Sequence, residues 1–168
     1  MRVLFISSGN SHFGISPLIR NQGESLREYG IHVTYYTLKG KGFWGYLRNV
    51  KPLRRYLKSN KFDIVHAHFS FTAFIASLAK SKPLVVSLMG WNIEIWYLKA
   101  LIKLLNLCFW DACIVKSNKM KDILNIKNIS VIPNGVDLNM FFPVDRKIAC
   151  HYTNWDSSKK HILFAANP

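Results

Sequence analysis

The chain has 168 residues and 49% hydrophobic content, enough apolar material for one packed domain. Its longest apolar stretch, 93–110, is interrupted by Glu94, Lys99 and Lys103, and the run 3–6 is too short for a secretory leader, so a cytoplasmic chain with no membrane span is expected. Lys and Arg number 23 against 9 Asp and Glu, and the formal net charge of +14 calls for an anionic partner or surface.

Short, β-branched apolar runs at 3–7, 31–38, 63–66, 84–88, 112–116 and 130–132 predict strands, each followed by a segment able to form a helix. Parallel neighbours need such crossovers and are buried on both faces, so the expected fold class is α/β, a doubly wound parallel sheet of Rossmann type. In that architecture ligands bind beyond the carboxyl ends of the strands, and the residues following each run become the candidates.

After the first run, Gly9, Asn10, Phe13 and Gly14 lie in a loop that can turn backbone N–H groups toward a phosphate or sugar, although an ordinary turn explains it equally. The loop has neither the three-glycine dinucleotide spacing nor a P-loop ending, which argues against a dehydrogenase or an NTPase. Tyr29-Gly30 closes the first helix with a residue suited to positive φ.

The segment 39–61 holds eight Lys or Arg and no acid, interleaved with Phe43, Trp44, Tyr46 and Tyr56. At helical spacing, Phe43, Leu47, Val50 and Leu57 share one stripe, and Lys41, Trp44, Arg48, Lys51, Arg55 and Lys58 share another. Pro52 predicts two short helices, since its missing N–H is tolerated only in a first turn. The outer stripe is expected to contact an anionic membrane surface; the alternative is a solvated helix face with Phe43, Leu47 and Leu57 in the core. Basic residues with aromatics also suit a nucleic-acid module, but no RNA-binding motif accompanies them and no nucleic-acid partner is expected.

His66 and His68 stand two apart on the third run, a spacing that admits a metal pair, yet no third ligand accompanies them and no metal is expected. His66 reads as a buried sheet histidine, and His68, nearer the rim, is the candidate catalytic residue. Gly90 and Asn92 follow the fourth run, and Ser117 follows the fifth, where it can cap a helix beginning at Asn118. Cys108, Cys113 and Cys150 lack metal-ligand spacing and leave one unpaired, consistent with a reducing compartment, and the first two are expected in the core. No Gly-x-Ser-x-Gly elbow or Ser/His/Asp set is present. Last, Ile132-Pro133-Asn134-Gly135-Val136-Asp137 ends a strand in a turn; Asp137 is expected to cap a short helix, and Asn134 is either a turn residue or one lining a cleft.

Four stretches carry a resemblance: Phe62-Asp63-Ile64-Val65-His66-Ala67-His68; Pro83-Leu84-Val85-Val86-Ser87-Leu88-Met89-Gly90; Asp111-Ala112-Cys113-Ile114-Val115-Lys116-Ser117; and Val131 through Asp137 with Phe142-Pro143. In this order they resemble the amino-terminal, acceptor-side domain of a family 4 glycosyltransferase of the two-domain GT-B type. The resemblance implies a Rossmann-like acceptor-binding domain over 1–142, with 143–168 as linker and first strand, at 162–168, of a separate donor-binding domain. It further implies a retaining hexosyltransferase that uses a nucleotide-sugar as donor substrate and no cofactor. Its acceptor would be a lipid-linked or cell-envelope saccharide at the cytoplasmic membrane face, in polysaccharide biosynthesis. Gly9, Asn10, Phe13, Gly14, Gly90, Asn92, Ser117 and Asn134 would line the substrate cleft, and the chain would be inactive without a donor half, whether that half is the continuation of the same protein or a separate chain. Family members often carry His-Gly-x-Asp where this chain has Met89-Gly90-Trp91-Asn92, and Met89 cannot exchange a proton.

Overall fold

The computed structural model describes residues 1–12, 14–90, 93 and 95–162; Phe13, Asn92 and nearly all of the strand expected at 162–168 lie outside the described residues. Six strands, β1 (Arg2–Ser8), β2 (His32–Leu38), β3 (Ile64–His68), β4 (Leu84–Leu88), β5 (Ala112–Val115) and β6 (Ile129–Val131), form one sheet in the order β2-β1-β3-β4-β5-β6. Every pairing is parallel. The helices between them are α1 (Pro17–Glu28), α2 (Gly42–Leu47), α3 (Val50–Ser59), α4 (Ser70–Leu78), α5 (Trp96–Cys108) and α6 (Asn118–Leu124).

Side chains alternate across the sheet and divide the core in two. Leu4 and Ile6 of β1 join Leu38, Leu53, Val65, Ala67, Ile75, Val86, Ile102, Cys113 and Leu124 on the face covered by α3 to α6. Val3 and Phe5 point the other way and meet Ile19 of α1 and Val33. The β3 strand runs two residues beyond its expected end because its pairing with β4 continues to His68↔Ser87, which makes His68 a strand residue.

Local signals explain the helix boundaries. Gly30 has φ +75° just past α1, whose first residue is Pro17. The Ser117 side chain accepts from the Met120 N–H at the start of α6. Pro52 lies in the first turn of α3, and the basic segment divides into two helices. Their break at 48–49 shifts the helical phase, so the expected inner stripe is only partly realised: Leu47, Val50 and Leu57 are half-buried against the core, whereas Phe43 is 52% exposed and Leu53, at 0%, takes the inward position. Leu53→Ala is therefore expected to cost about 2–5 kcal/mol, read from the urea midpoint, because it empties a filled site. A midpoint equal to that of the parent would remove Leu53 from the core.

Cys113 is buried, and burial pushes its thiol up to about 12. Cys108 is exposed rather than packed, because the inward stripe of α5 runs through Ile102 and Leu105.

The chain divides into two compact units at Gly135/Val136, inside the Pro-Asn-Gly-Val-Asp stretch and seven residues before the expected boundary. In the second unit the carboxylate of Asp137 accepts from the N–H groups of Asn139 (2.9 Å) and Met140 (3.4 Å), closing a turn over 138–140 and not the expected short helix. Pro143 follows too closely for a helix to propagate. Asp145 caps α7 (Arg146–Thr153) by accepting from Lys147 and Ile148, and Asn154 ends it at φ +55°.

Candidate functional site at the carboxyl edge of the sheet

The strand order reverses direction at β1, which lies between β2 and β3, and the chain leaves β1 toward one face and β3 toward the other. Such a switch point opens a crevice at the carboxyl ends of the two strands. Both loops that border it are held by specific bonds.

On the β1 side, the Asn10 side-chain N–H donates to the Gly40 carbonyl (2.7 Å) while its amide oxygen accepts from the Gly40 N–H (2.9 Å). The same amide nitrogen reaches the Tyr46 hydroxyl, which donates to the Ser8 hydroxyl at 2.9 Å. Asn10 thus ties the loop after β1 to the loop after β2, and its amide is engaged by protein. Gly9 donates its N–H to the Leu38 carbonyl, and a Cβ there would lie 2.8 Å from the Thr37 side chain. Gly40 adopts φ +133° and approaches the Gly45 backbone so closely that a Cβ would stand 2.6 Å from the Gly45 carbonyl oxygen. Gly40→Ala is expected to cost about 1–3 kcal/mol, from strain in a region open to glycine alone, and to undo the Asn10 clamp. Loss of hydrogen-exchange protection at the residue-40 N–H would report it; unchanged protection with an unchanged urea midpoint would refute it. Gly14, at φ +67°, and Gly90 have open space where a Cβ would stand.

On the β3 side, His66 and His68 stack with ring centroids 4.2 Å apart, and the Phe5 ring meets both edge to face at 5.1 and 4.6 Å. His66 Nε2 lies 2.8 Å from the Ser87 hydroxyl. His68, expected at the rim, is the last residue of β3 and is fully buried, and neither of its ring nitrogens has a partner among the described residues. Burial, then the nearby Lys116 charge, lowers His66 to about 4. Burial, then His66 and Lys116, lowers His68 to about 2. Both rings are neutral at pH 7. The next residue, Phe69, has φ 72° and ψ 154°, a conformation populated almost solely by glycine, which stores on the order of 1–3 kcal/mol at the switch point. The Phe69 N–H donates to the Ser87 carbonyl, and its own carbonyl accepts from the Ala73 N–H and the Thr72 hydroxyl, which also reaches the His68 carbonyl.

Farther along the edge, Ser117 spends its hydroxyl on the α6 cap, and Asn134 is exposed in the extended segment after β6. Parallel topology therefore places Gly9, Asn10, Gly14, His68, Gly90, Ser117 and Asn134 at one edge, and the β1 and β2 loops are joined there by side-chain bonds. Sequence reasoning missed Gly40, Tyr46, Ser87 and Lys116. Lys116 carried a legible signal, a basic residue directly after a buried strand, and its amine pKa is lowered by burial. Among the described residues no three His, Cys, Asp or Glu side chains gather as a metal-ligand set.

A parallel six-stranded sheet with this order and switch point defines a Rossmann-like α/β domain. The family model for Glycosyltransferase Family 4 matches residues 14–140, and the chain belongs to that family. No curated protein sequence matches the chain. Among solved structures it is similar to the sucrose-phosphate synthase (tll1590) of Thermosynechococcus elongatus, with TM-score 0.71 and 14% identity over 92% of this chain and 53% of that one. It is similar as well to Anabaena Alr3699/HepE in complex with UDP-glucose, with TM-score 0.60 and 15% identity over 92% of this chain and 50% of that one. The same protein with UDP and glucose gives 16% identity at TM-score 0.60, over 91% of this chain and 50% of that one. At these identities the likeness establishes the fold, and the chain spans about half the length of these solved relatives.

Proposed function

We propose that this chain is the acceptor-binding half of a retaining glycosyltransferase that moves a sugar from a nucleotide-sugar to a lipid-linked or cell-envelope saccharide. The family match over 14–140, with a fold that covers about half the length of its solved relatives, carries the reading. Transfer requires donor and acceptor held together, which is largely positioning and phosphate charge stabilisation. In this chain the acceptor cleft is the carboxyl edge: the Asn10-Gly40 clamp shapes one wall, Gly14 and Gly90 leave room for a sugar ring, and Lys116 supplies positive charge. Asn134 belongs to the same rim in this reading, where Met89 offers no proton. His68 lies under the cleft floor, where its neutral ring positions the end of β3.

The outer stripe of α2 and α3, with Lys41, Trp44, Arg48, Lys51, Arg55 and Lys58 all exposed, docks the protein on the cytoplasmic membrane face. No described helix is long and apolar enough to cross a membrane. The reading is tested by incubating the purified chain with a panel of nucleotide-sugars and polyprenyl-phosphate saccharides. The chain alone is expected to bind acceptor and to show no transfer and no donor hydrolysis. Turnover by residues 1–168 would overturn the half-enzyme assignment, and absence of acceptor binding would overturn the acceptor role.

A further inference from the structure

A second charged concavity lies at the opposite, amino edge of the sheet, away from the proposed cleft. A groove of about 720 Å³ is lined there by Arg54, Lys58, Lys61, Lys80 and Lys82, with Leu57, Phe62, Val65 and Ala79 among its apolar walls. Asp63 is the acid in this lining, and its carboxylate already accepts from the Arg2 N–H at 2.6 Å.

Two of the five cations have evident structural work. Arg54 donates to the Leu78 carbonyl at the end of α4 (2.7 Å), and Lys82 pairs with Asp111 at 3.2 Å. Lys58, Lys61 and Lys80 have no acidic partner among the described residues. Their blandest role is to offset the carboxyl ends of α3 and α4, which reach this edge. Each helix end amounts to roughly half a negative charge and Asp63 adds one, so Arg54 and the three lysines keep about half of their positive charge uncompensated. A separate observation points the same way: Ser81 also lines the groove, is 3% exposed, and its hydroxyl has no hydrogen-bond partner among the described residues. A buried, unpartnered hydroxyl beside unpaired lysines is the arrangement that an oxyanion satisfies, since it accepts from a hydroxyl and from ammonium groups at once.

We infer that this amino-edge groove binds a phosphate-bearing anion, through Lys61, Lys80 and the Ser81 hydroxyl, independently of the sugar-transfer cleft. A free phosphorylated small molecule and a phospholipid headgroup share that chemistry, and the apolar walls suit the organic part of either.

Calorimetric titration of the 168-residue chain with inorganic pyrophosphate, alongside co-sedimentation with phosphatidic-acid vesicles, tests the site. Pyrophosphate is expected to bind with one-to-one stoichiometry, and Lys61→Gln/Lys80→Gln is expected to weaken it by about tenfold or more. Ser81→Ala should weaken it by about threefold without lowering the urea midpoint, because a hydroxyl serving only as a buried orphan gains stability when removed. Lys127→Gln, exposed and outside both sites, should leave the titration unchanged. A loss in the pyrophosphate arm assigns a free ligand, and a loss confined to the vesicle arm, measured in a chain whose Arg48, Lys51 and Arg55 are already reversed to Glu, assigns a headgroup. Binding lost in Lys116→Gln but kept in Lys61→Gln/Lys80→Gln would place the anion in the transfer cleft and overturn this site while leaving the transferase reading intact. Binding in neither arm overturns it as well.

Discussion

Vesicles of anionic phospholipid should sediment the protein, and reversing Arg48, Lys51, Arg55 and Lys58 to Glu should reduce that binding by about a thousandfold or more. The four side chains are exposed, Arg48 at the end of α2 and Lys51, Arg55 and Lys58 along α3, and α2 itself exposes Trp44 at 75% and Phe43 at 52%. Each basic residue near an anionic leaflet contributes roughly 1 kcal/mol, so losing four removes about 4 kcal/mol before the added repulsion is counted. The exposed aromatic pair, with rings 5.7 Å apart, would supply apolar contact at the headgroup boundary. Binding should weaken with salt and vanish on neutral lipid. A control reversing Lys121, Lys127 and Lys147, all exposed elsewhere, separates this surface from the general excess of charge. If the control loses as much as the stripe variant, the docking face is not α2 and α3.

The second large effect is acid sensitivity. His66 and His68 are neutral in the folded protein, at about 4 and about 2, while in the unfolded chain each takes up a proton near its ordinary value of 6.5. Above 6.5 the two states bind equal numbers of protons and the pair contributes no pH dependence. Below it the unfolded state binds more, so stability falls as pH falls, by roughly 1.4 kcal/mol per pH unit for each ring until the folded value is reached. From pH 7 to pH 5 the loss is on the order of 4 kcal/mol, a large part of a small domain's stability. Urea midpoints measured across that interval should show it. His68→Phe, which keeps an aromatic ring against Phe5 and removes one titrating group, should roughly halve the slope. A midpoint flat between pH 7 and pH 5 would mean that the pair is solvated in solution.

Strand periodicity carried most of the architecture. Six β-branched runs sufficed for the sheet, because parallel strands buried on both faces leave a continuous apolar signature, and the family resemblance read from Phe62 to Asp137 agrees with the match over 14–140. Ser117, Gly30 and Pro52 had local chemistry that determines a boundary wherever the rest of the chain goes. What sequence could not deliver depended on contacts between distant segments. Leu53 replaced Phe43 in the core because the break between α2 and α3 resets the helical phase. His68 sank below the rim because its pairing with Ser87, 19 positions away, extends β3. The Asn10-Gly40 clamp spans 30 positions, and neither partner alone announces the other. Each residue was visible as polar or conformationally special, but its partner was set by the register of a sheet.

That clamp has a thermodynamic consequence for whatever enters the cleft. A rim loop rich in glycine and small polar residues would ordinarily be ordered by its ligand, and each freely rotating side chain fixed on binding costs about 0.5–1.5 kcal/mol. Here the β1 and β2 loops are fastened by two reciprocal amide bonds and by the Tyr46-Ser8 hydroxyl contact before any sugar arrives. The entropy of arranging that wall is therefore settled during folding, and the proposed saccharide acceptor would meet a fixed template. A fixed template discriminates by shape: an acceptor differing by one axial hydroxyl would find no loop ready to accommodate it, so selectivity at this wall would be decided by fit and not by adaptation.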